Sequence, residues 1–501
     1  MTIKGSNEPT PSISGATNLE ELLADKPPAR TVDPADLLAK VGQGRRLVVL
    51  DDDPTGTQSV SELPVLTSWS VEDLRWALRQ DTTGFFVLTN TRSLSETDTV
   101  ERNQQIVRAL VAAARQEGVD FSIASRSDST LRGYFPLETD VLARELASFD
   151  IHIDGVIIVP ALIEPGRVTI DSVHWMRTTV GMIPVSHSEF AKDASFGYLQ
   201  SDLRDWVQEK TAGRISRDQV ATITLSDLRN GGPDAVSDIL SGLTSGQPVV
   251  VDAVVDDDLR VLVNGILQAE KAGKRFLYRT GPSFVRARSG QVSTPPLGAT
   301  GLADIVAKSQ HVDPQARPTS SCGLIAIGSH VGLTTRQLDH LRDNSPIIEL
   351  ELDVSMLLDP ATRDGHIREV TDRAVAHLCN SGETADVVIR TSRKVVVGVD
   401  ADDSLVIART VSAALVNTVH EVVDTIRPKF VVAKGGITSS DVATVGLEIT
   451  RAWSRGTMLP GTVSLWEPIS GPAQGIPYIV FAGNVGNDDA LLDVVTTLRS
   501  A

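Results

Sequence analysis

Short apolar runs that each end in a polar loop, separated by segments of helical period, recur along this chain and leave few folds open to it. Arg46-Leu47-Val48-Val49-Leu50 delivers the chain into Asp51-Asp52-Asp53-Pro54-Thr55-Gly56, and Phe85 to Leu88 leads into Thr89-Asn90-Thr91-Arg92-Ser93. Phe121 to Ala124 leads into Ser125 to Gly133, Val156 to Val159 into Pro160-Ala161, and Val249 to Val251 into Asp252-Ala253. Continuous apolar runs of this length mark strands covered on both faces. Between two of them, Ile106, Leu110, Val111 and Ala114 share one face of a helical segment from Val100 to Glu117. The alternation predicts an α/β fold, each sheet largely parallel or mixed and flanked by helices, with its chemistry in the loops that follow the strands.

The chain has 501 residues, more than one hydrophobic core ordinarily serves, so two domains are expected. Around Arg286 to Ser321, Pro, Gly, Ser and Thr displace apolar periodicity, and the alternation then restarts at Gly323 to Ile327. Further strands are expected at Ile347 to Leu352, Asp386 to Arg390, Phe430 to Ala433, Gly461 to Trp466 and Tyr478 to Phe481, with a helix from Thr334 to Leu341. The predicted organisation is an arm at 1–43 with one or two short helices, a first domain at 44–290, a linker at 291–320 and a second domain at 321–501. The active site is expected in the cleft between the domains.

Forty-seven basic against 64 acidic side chains give a formal charge of −17, which argues against a nucleic-acid partner or an anionic membrane surface. Cys322 and Cys379 are too few and too far apart for a disulfide framework or a zinc site. The N-terminus lacks the basic-then-apolar order of a secretory signal, and no apolar run reads as long enough to span a bilayer. A cytoplasmic protein is expected, with a homo-oligomer left open.

Three adjacent carboxylates, Asp51 to Asp53, repel one another unless cations or hydroxyl donors share the site, and the Pro-Thr-Gly that follows makes a tight turn. Phosphoryl transfer needs a carboxylate to accept a hydroxyl proton and another to hold Mg²⁺ or orient the acceptor. An acidic turn that merely caps the next element is the structural alternative. Arg92 and Arg132 follow apolar strands too, and a guanidinium fork suits a carboxylate or phosphate. Asp128, Ser129 and Thr130 suit sugar hydroxyls, whereas Arg126 reads as an ordinary surface residue. In the loop Pro160 to Asp171, Glu164, Arg167 and Asp171 are equally explained as structural punctuation. The second half uses small residues instead: Lys434-Gly435-Gly436-Ile437-Thr438-Ser439-Ser440 after one strand, Gly328-Ser329 after another, and Gly483-Asn484-Val485-Gly486 after a third. Amides and hydroxyls in such turns bind phosphate. Neither a Walker A sequence nor a protein-kinase signature is present, and no GxGxxG follows the first strand, which disfavours a dehydrogenase. His174, His187 and His330 are scattered and read as surface or satisfied-core residues.

These residues resemble the four-carbon acid sugar kinase family over about residues 45–495. The motif Asp-Asp-x-Thr-Gly stands at Asp52 to Gly56, Thr89-Asn90-Thr91-Arg92 resembles the family's Thr-x-Ser-Arg, and Asp-Ser-Thr-Leu-Arg-Gly is intact at Asp128 to Gly133. Val159-Pro160-Ala161 through Gly166-Arg167, Gly328-Ser329 with Thr334 and Gln337, Gly435-Gly436-Ile437-Thr438-Ser439, Leu459-Pro460-Gly461 and Gly483 to Gly486 extend the match. The resemblance implies an N-terminal domain for the acid sugar, a C-terminal domain for ATP, Mg²⁺ as cofactor, and phosphorylation of threonate, erythronate or 3-oxo-tetronate. It implies Asp53 as first choice for the catalytic carboxylate, with Asp52 and Asp128 next. Arg92, Ser129, Thr130 and Arg132 would bind the acid sugar, and Ser329, Lys434, Gly435, Gly436, Thr438, Ser439, Gly461, Gly483 and Asn484 the nucleotide. Two departures stand out: Phe481-Ala482 replaces a Lys-Ser pair, and Ile437 replaces a Glu. Lys434 is the candidate to supply the missing cation. The competing reading is a kinase-like protein that binds nucleotide or acts as an effector without turnover.

Overall fold

A computed structural model describes residues 16–309, 317–380, 382, 384–393, 396 and 401–501. The chain forms two compact units, and neither is a continuous stretch of sequence. One comprises Met1–Asp33, Asp128–Pro136 and Ile153–Phe284, the other Pro34–Ser127, Leu137–His152 and Val285–Ala501.

The larger unit is built on a mixed sheet. On one side its strands run in the order Ile347–Leu352, Asp386–Thr391, Leu324–Ile327, Val431–Lys434 and Tyr478–Phe481, all parallel. Val463–Pro468 and Arg451–Leu459 follow as an antiparallel hairpin, and Arg451–Leu459 pairs antiparallel with Leu63–Leu66. Gly84–Leu88, Arg46–Asp51 and Phe121–Arg126 then continue in parallel. Strands from both halves of the sequence are thus joined within one unit. Within each parallel block the loops after the strands leave at one edge, as the alternation predicts, and the three antiparallel pairings between the blocks make the two blocks run in opposite directions.

Apolar burial explains why these segments are strands. Leu47, Val48 and Val49 are fully buried, as are Phe85, Phe86 and Val87, and each such side chain contributes about 1.5–3 kcal/mol by leaving water. In the C-terminal part, Ile325, Ile327, Val388, Val432, Ile479 and Phe481 pack with Leu338, Leu341, Leu491, Val494 and Leu498 of the covering helices. Two helices differ from expectation in length: Glu96–Glu117, capped by Ser95, starts before Val100, and Gly332–Asn344 is longer than Thr334 to Leu341.

The smaller unit carries a parallel sheet ordered Phe276–Thr280, Gly155–Val159, Gln247–Val251 and Ala221–Ile223. An antiparallel sheet of Arg167–Ile170, Val173–Thr178 and Gly181–Pro184, not foreseen from the sequence, lies beyond the loop Pro160 to Gly166.

Short helices Leu19–Leu23 and Pro34–Gly42 occupy the N-terminal segment, Leu37 and Val41 burying the face of the second. Within 291–320, which reads from sequence as a connection, residues Ala299–Ser309 form a helix whose Leu302 and Ile305 join the C-terminal core. Residues 310–316 lie outside the described residues. One helical stretch, Val406–Thr425, is long and apolar enough to cross a membrane by length and composition, contrary to the expectation that no run qualifies. Its Ala414, Leu415, Val419, Val422 and Val423 are buried inside the unit, so packing against the fold accounts for its apolar face.

Candidate functional site

At the end of strand Arg46–Asp51 the chain turns through three carboxylates, and Arg126 at the end of one neighbouring strand and Arg92 in the turn after the other offset part of their charge. Arg126 Nη1 lies 2.7 Å from Asp51 Oδ1 and 3.5 Å from Asp52 Oδ1. Arg92 Nη2 lies 2.8 Å from Asp52 Oδ1 and 3.4 Å from Asp53 Oδ2. The parallel register Asp51↔Arg126 sets Arg126 beside Asp51, and the turn Thr91–Ser93, which follows the strand end at Leu88, brings Arg92 to Asp52, whose carbonyl accepts from the Arg92 amide at 3.4 Å. Arg126 corrects the sequence reading. It is buried rather than at the surface, because Phe121–Arg126 continues as a strand two residues past the apolar run.

Environment separates the three carboxyl groups. Burial pushes the Asp51 carboxyl up to about 7 against the pull of Arg126. Burial acts on Asp53 too, but Arg92, Arg126 and the hydrogen bonds from Thr55 outweigh it and hold Asp53 below the usual carboxylate range. Asp53 caps the turn Pro54–Ser59, its Oδ1 accepting from the Thr55 amide at 2.8 Å. Asp52 Oδ2 is buried without a hydrogen-bond partner among the described residues. Behind the arginines, Glu138 accepts from Thr91 Oγ1 at 2.7 Å and Ser125 Oγ at 3.0 Å, tying the turn that carries Arg92 to the strand that carries Arg126.

The glycine turn after strand Val431–Lys434 belongs to the same unit and meets this acidic turn. A Cβ added to Gly436 would lie 3.9 Å from Asp53 Oδ2, and Asn90 Nδ2 donates to Ser440 Oγ. Gly435 has φ +131°, a conformation L side chains rarely adopt. Ser439 Oγ donates to the Ala433 carbonyl at 2.7 Å, and Thr438, Ser439 and Ser440 are all buried. Ser329 stands against two glycine turns: its Cβ is 3.4 Å from the Cβ position of Gly435, and a Cβ on Gly483 would strike its side chain. Thr334 Oγ1 is 3.0 Å from Ser329 Oγ and 2.8 Å from the Gly483 carbonyl. Asn484 is exposed in the turn that follows. Gly461 makes the hairpin turn after Leu459 with φ +62°, and Leu459 Cδ1 lies 3.8 Å from the Cβ position of Gly486.

Lys434 is fully buried: its ammonium sits 3.6 Å from the centroid of the Phe481 ring and donates to the Ala482 carbonyl at 3.1 Å. Burial pushes it down to about 7. Strand pairing sets Lys434 directly beside Phe481.

A buried relay spans the back of both turns. Trp466 Nε1 donates to Thr57 Oγ1 at 2.9 Å, the Trp466 ring lies 6.1 Å from that of Tyr478, and the Tyr478 hydroxyl donates to the Ser439 carbonyl. Neither Trp466 nor Tyr478 stands out in the sequence, since each reads as an aromatic core residue.

Asp128, Ser129, Thr130 and Arg132 lie in the other unit. Arg132 Nε donates to Asp128 Oδ2 at 2.6 Å, its Nη1 is 3.6 Å from Asp193 Oδ2, and its guanidinium covers the Phe190 ring. Thr130 Oγ1 also bonds Asp128. His174 and Tyr198 hold the loop backbone from inside, at the Ser129 carbonyl (2.8 Å) and the Thr130 carbonyl (2.7 Å). Burial pushes His174 down to about 4; it is a neutral core residue, Nε2 donating to Ser129 and Nδ1 accepting from Thr169.

Among the described residues no group of three or more His, Cys, Asp or Glu side chains is arranged to hold a metal ion. A phosphate-associated Mg²⁺ needs only one or two protein carboxylates, which the unpartnered Asp52 Oδ2 and the neighbouring Asp53 Oδ2 fit.

A family model described as a sugar-binding N-terminal domain matches residues 47–288, and one described as a nucleotide-binding C-terminal domain matches residues 324–491. Among solved structures, Haemophilus influenzae protein HI1011, of family DUF1537, superposes with a TM-score of 0.59 at 19% identity, over 90% of this chain and 100% of that one. A Salmonella typhimurium LT2 protein described as a tRNA synthase superposes with a TM-score of 0.61 at 16% identity, over 89% of this chain and 98% of that one. At such identities the likeness is one of fold. No curated protein matches the chain.

Proposed function

Since the chain belongs to the four-carbon acid sugar kinase family, we propose that it transfers the γ-phosphoryl group of ATP to a hydroxyl of a small, four-carbon acid sugar. The observation that carries this reading is the meeting of the Asp53 turn with the Gly435-Gly436 turn. It sets an ionised carboxylate beside a glycine turn of the domain described as nucleotide-binding.

In this reading Asp53 orients the acceptor hydroxyl and takes its proton as the hydroxyl oxygen bonds to the γ-phosphorus and the bond to the β-phosphate oxygen breaks. Arg92 and Arg126 keep Asp53 ionised for that task. Asp52 completes the acidic turn, and its free oxygen with Asp53 would hold Mg²⁺, which when bound neutralises phosphate charge. Ser329, Gly435, Gly436, Thr438, Ser439, Gly461, Gly483 and Asn484 line the nucleotide site, with Lys434 beneath it. The family resemblance assigns acid-sugar binding to Arg92 and, in the other unit, to Arg132, Asp128, Ser129 and Thr130. Residues 44–290 and 321–501 serve as the acid-sugar and nucleotide domains. Two free cysteines agree with a cytoplasmic location.

ATP consumption with Mg²⁺ and a panel of threonate, erythronate and their oxo forms tests the reading. Turnover with one of these acids supports it, and no turnover with any of them overturns it. The burial of Lys434 favours a second reading, a nucleotide-binding or effector protein without turnover. That reading requires nucleotide binding in a thermal melt with no ATP consumption under any condition.

A further inference from the structure

Arginines at the edge of the sheet near Ser329 are almost all neutralised. Arg390 pairs with Glu349 and Glu351, Arg342 with Glu349 and Asp339, and Arg336 with Asp488. Arg393, in the loop after strand Asp386–Thr391, is the exception. Its Nη1 donates to the Ser329 carbonyl and its Nη2 to Thr335 Oγ1, while its Nε is buried without a hydrogen-bond partner among the described residues. Among the described residues no carboxylate lies within ion-pair distance of it. Its nearest acidic influences, Asp339 and Glu349, are already taken by Arg342 and Arg390.

The surroundings make this unpaired charge costly. Ser329 precedes the 13-residue helix Gly332–Asn344 and Thr335 lies in its first turn, where the helix carries the positive end of its dipole. A guanidinium placed there is repelled rather than stabilised. His330, in the same turn, is held below its ordinary value by burial and by Arg393. A cation at a helix start, with the nearby Asp339 and Glu349 held by other arginines, forms an environment that an anion would relieve. Ser329 also stands against the turns of Gly435 and Gly483, so the anion site is continuous with the proposed nucleotide site.

We propose that Arg393 is the phosphate-binding cation of the nucleotide half, holding the polyphosphate of ATP at the Ser329–Gly332 turn. This assignment rests on the kinase reading and gives to Arg393 the role for which Lys434 is the sequence candidate. The Lys434 ammonium is committed to the Phe481 ring and the Ala482 carbonyl, whereas Arg393 contacts Ser329 itself.

Isothermal titration of the full chain with ATP, ADP, adenosine and inorganic tripolyphosphate tests it, comparing wild type with Arg393→Met, Arg393→Lys and Lys434→Met. Arg393→Met is expected to weaken ATP, ADP and tripolyphosphate by about tenfold or more while leaving adenosine within about twofold. Arg393→Lys should fall between, keeping the charge without the fork. Lys434→Met should keep ATP affinity within about threefold of wild type, since a buried side chain cannot grip a phosphate at the surface. Equal ATP affinity in wild type and Arg393→Met overturns the inference alone, as does an equal loss for adenosine and ATP, which would make Arg393 a clamp on the fold. If Arg393→Met does not fold, Arg393→Lys decides, and unchanged ATP and tripolyphosphate binding in it overturns the assignment of a guanidinium fork. A wild-type chain that binds neither ATP nor ADP overturns both this inference and the kinase reading.

Discussion

Of the three carboxylates in the acidic turn, Asp53 keeps 24% of its side chain exposed, against 2% for Asp51 and 3% for Asp52. Exposure decides which of them meets a hydroxyl. Asp53→Asn preserves shape and most hydrogen bonds while removing the base, so kcat should fall by about 10²–10⁴-fold with Mg²⁺-free ATP affinity unchanged, as read by steady-state kinetics and titration calorimetry. Asp51 and Arg126 do a different job. Removing one partner of a buried ion pair strands the other, so Arg126→Met should cost about 3–5 kcal/mol in urea unfolding. Lys434 gives a pH test of its own. A buried lysine moved from 10.5 down to about 7 binds fewer protons folded than unfolded between those values. The protein therefore gains stability as pH rises through that window, by about 1.4 kcal/mol per pH unit. Lys434→Met should remove that rise, and urea unfolding from neutral pH upward that gave parallel curves for the two proteins would refute it.

Elements enter where two loops must keep a fixed separation. The acidic turn and the glycine turn follow strands that are not neighbours in the sheet, and the relay Thr57, Trp466, Tyr478 and Ser439 packs between them. Trp466→Phe keeps most of the packing but loses the indole donor, which should cost about 1 kcal/mol of stability. Because orientation of the reacting groups depends on that spacing, kcat should drop by about tenfold with the KM for ATP within about twofold. Thr57→Ala should reproduce the effect, and the double variant should be no worse than either single one. Additive losses would show that the two side chains act separately. The strand that carries this relay was foreseen, near Gly461 to Trp466, but its partner Arg451–Leu459 was not. Arg451, Ser454, Arg455, Gly456 and Thr457 interrupt its apolar pattern, and the register shifts between Ser454 and Gly456 and between Thr457 and Leu459 break the period of two. Parallel strands such as Arg46–Asp51 were legible because burial on both faces leaves an unbroken apolar run.

For the whole molecule, the boundary of its compact units matters more than the linker. Strand Arg451–Leu459 takes its second partner, Leu63–Leu66, from the first quarter of the chain. Arg451 Nε also lies 2.7 Å from Asp73 Oδ1, and Arg455 Nη1 pairs with Glu62. A fragment of residues 321–501 would expose that strand edge together with the buried faces of Ala452 and Ser454. It should aggregate or unfold at lower urea than the full chain, and co-expression with residues 1–320 should restore a soluble complex in size-exclusion chromatography. A monomeric fragment as stable as the intact protein would show that the pairing contributes nothing.

The sequence by itself determined the parallel α/β architecture, because strand-and-loop alternation is a local pattern, and it marked the Asp-rich, Asp-Ser-Thr-Leu-Arg-Gly and Gly-Gly loops, because their turn chemistry is local too. What the tertiary structure decided is which charges face each other. Arg126 reads as a surface residue until strand pairing buries it against Asp51. Lys434 reads as a phosphate ligand until the neighbouring strand sets Phe481 under its ammonium. Arg393, unmarked in the sequence, gains meaning only from having no carboxylate within ion-pair distance among the described residues. Register and burial are properties of pairs of distant segments, and the charge state and reach of a side chain follow from them.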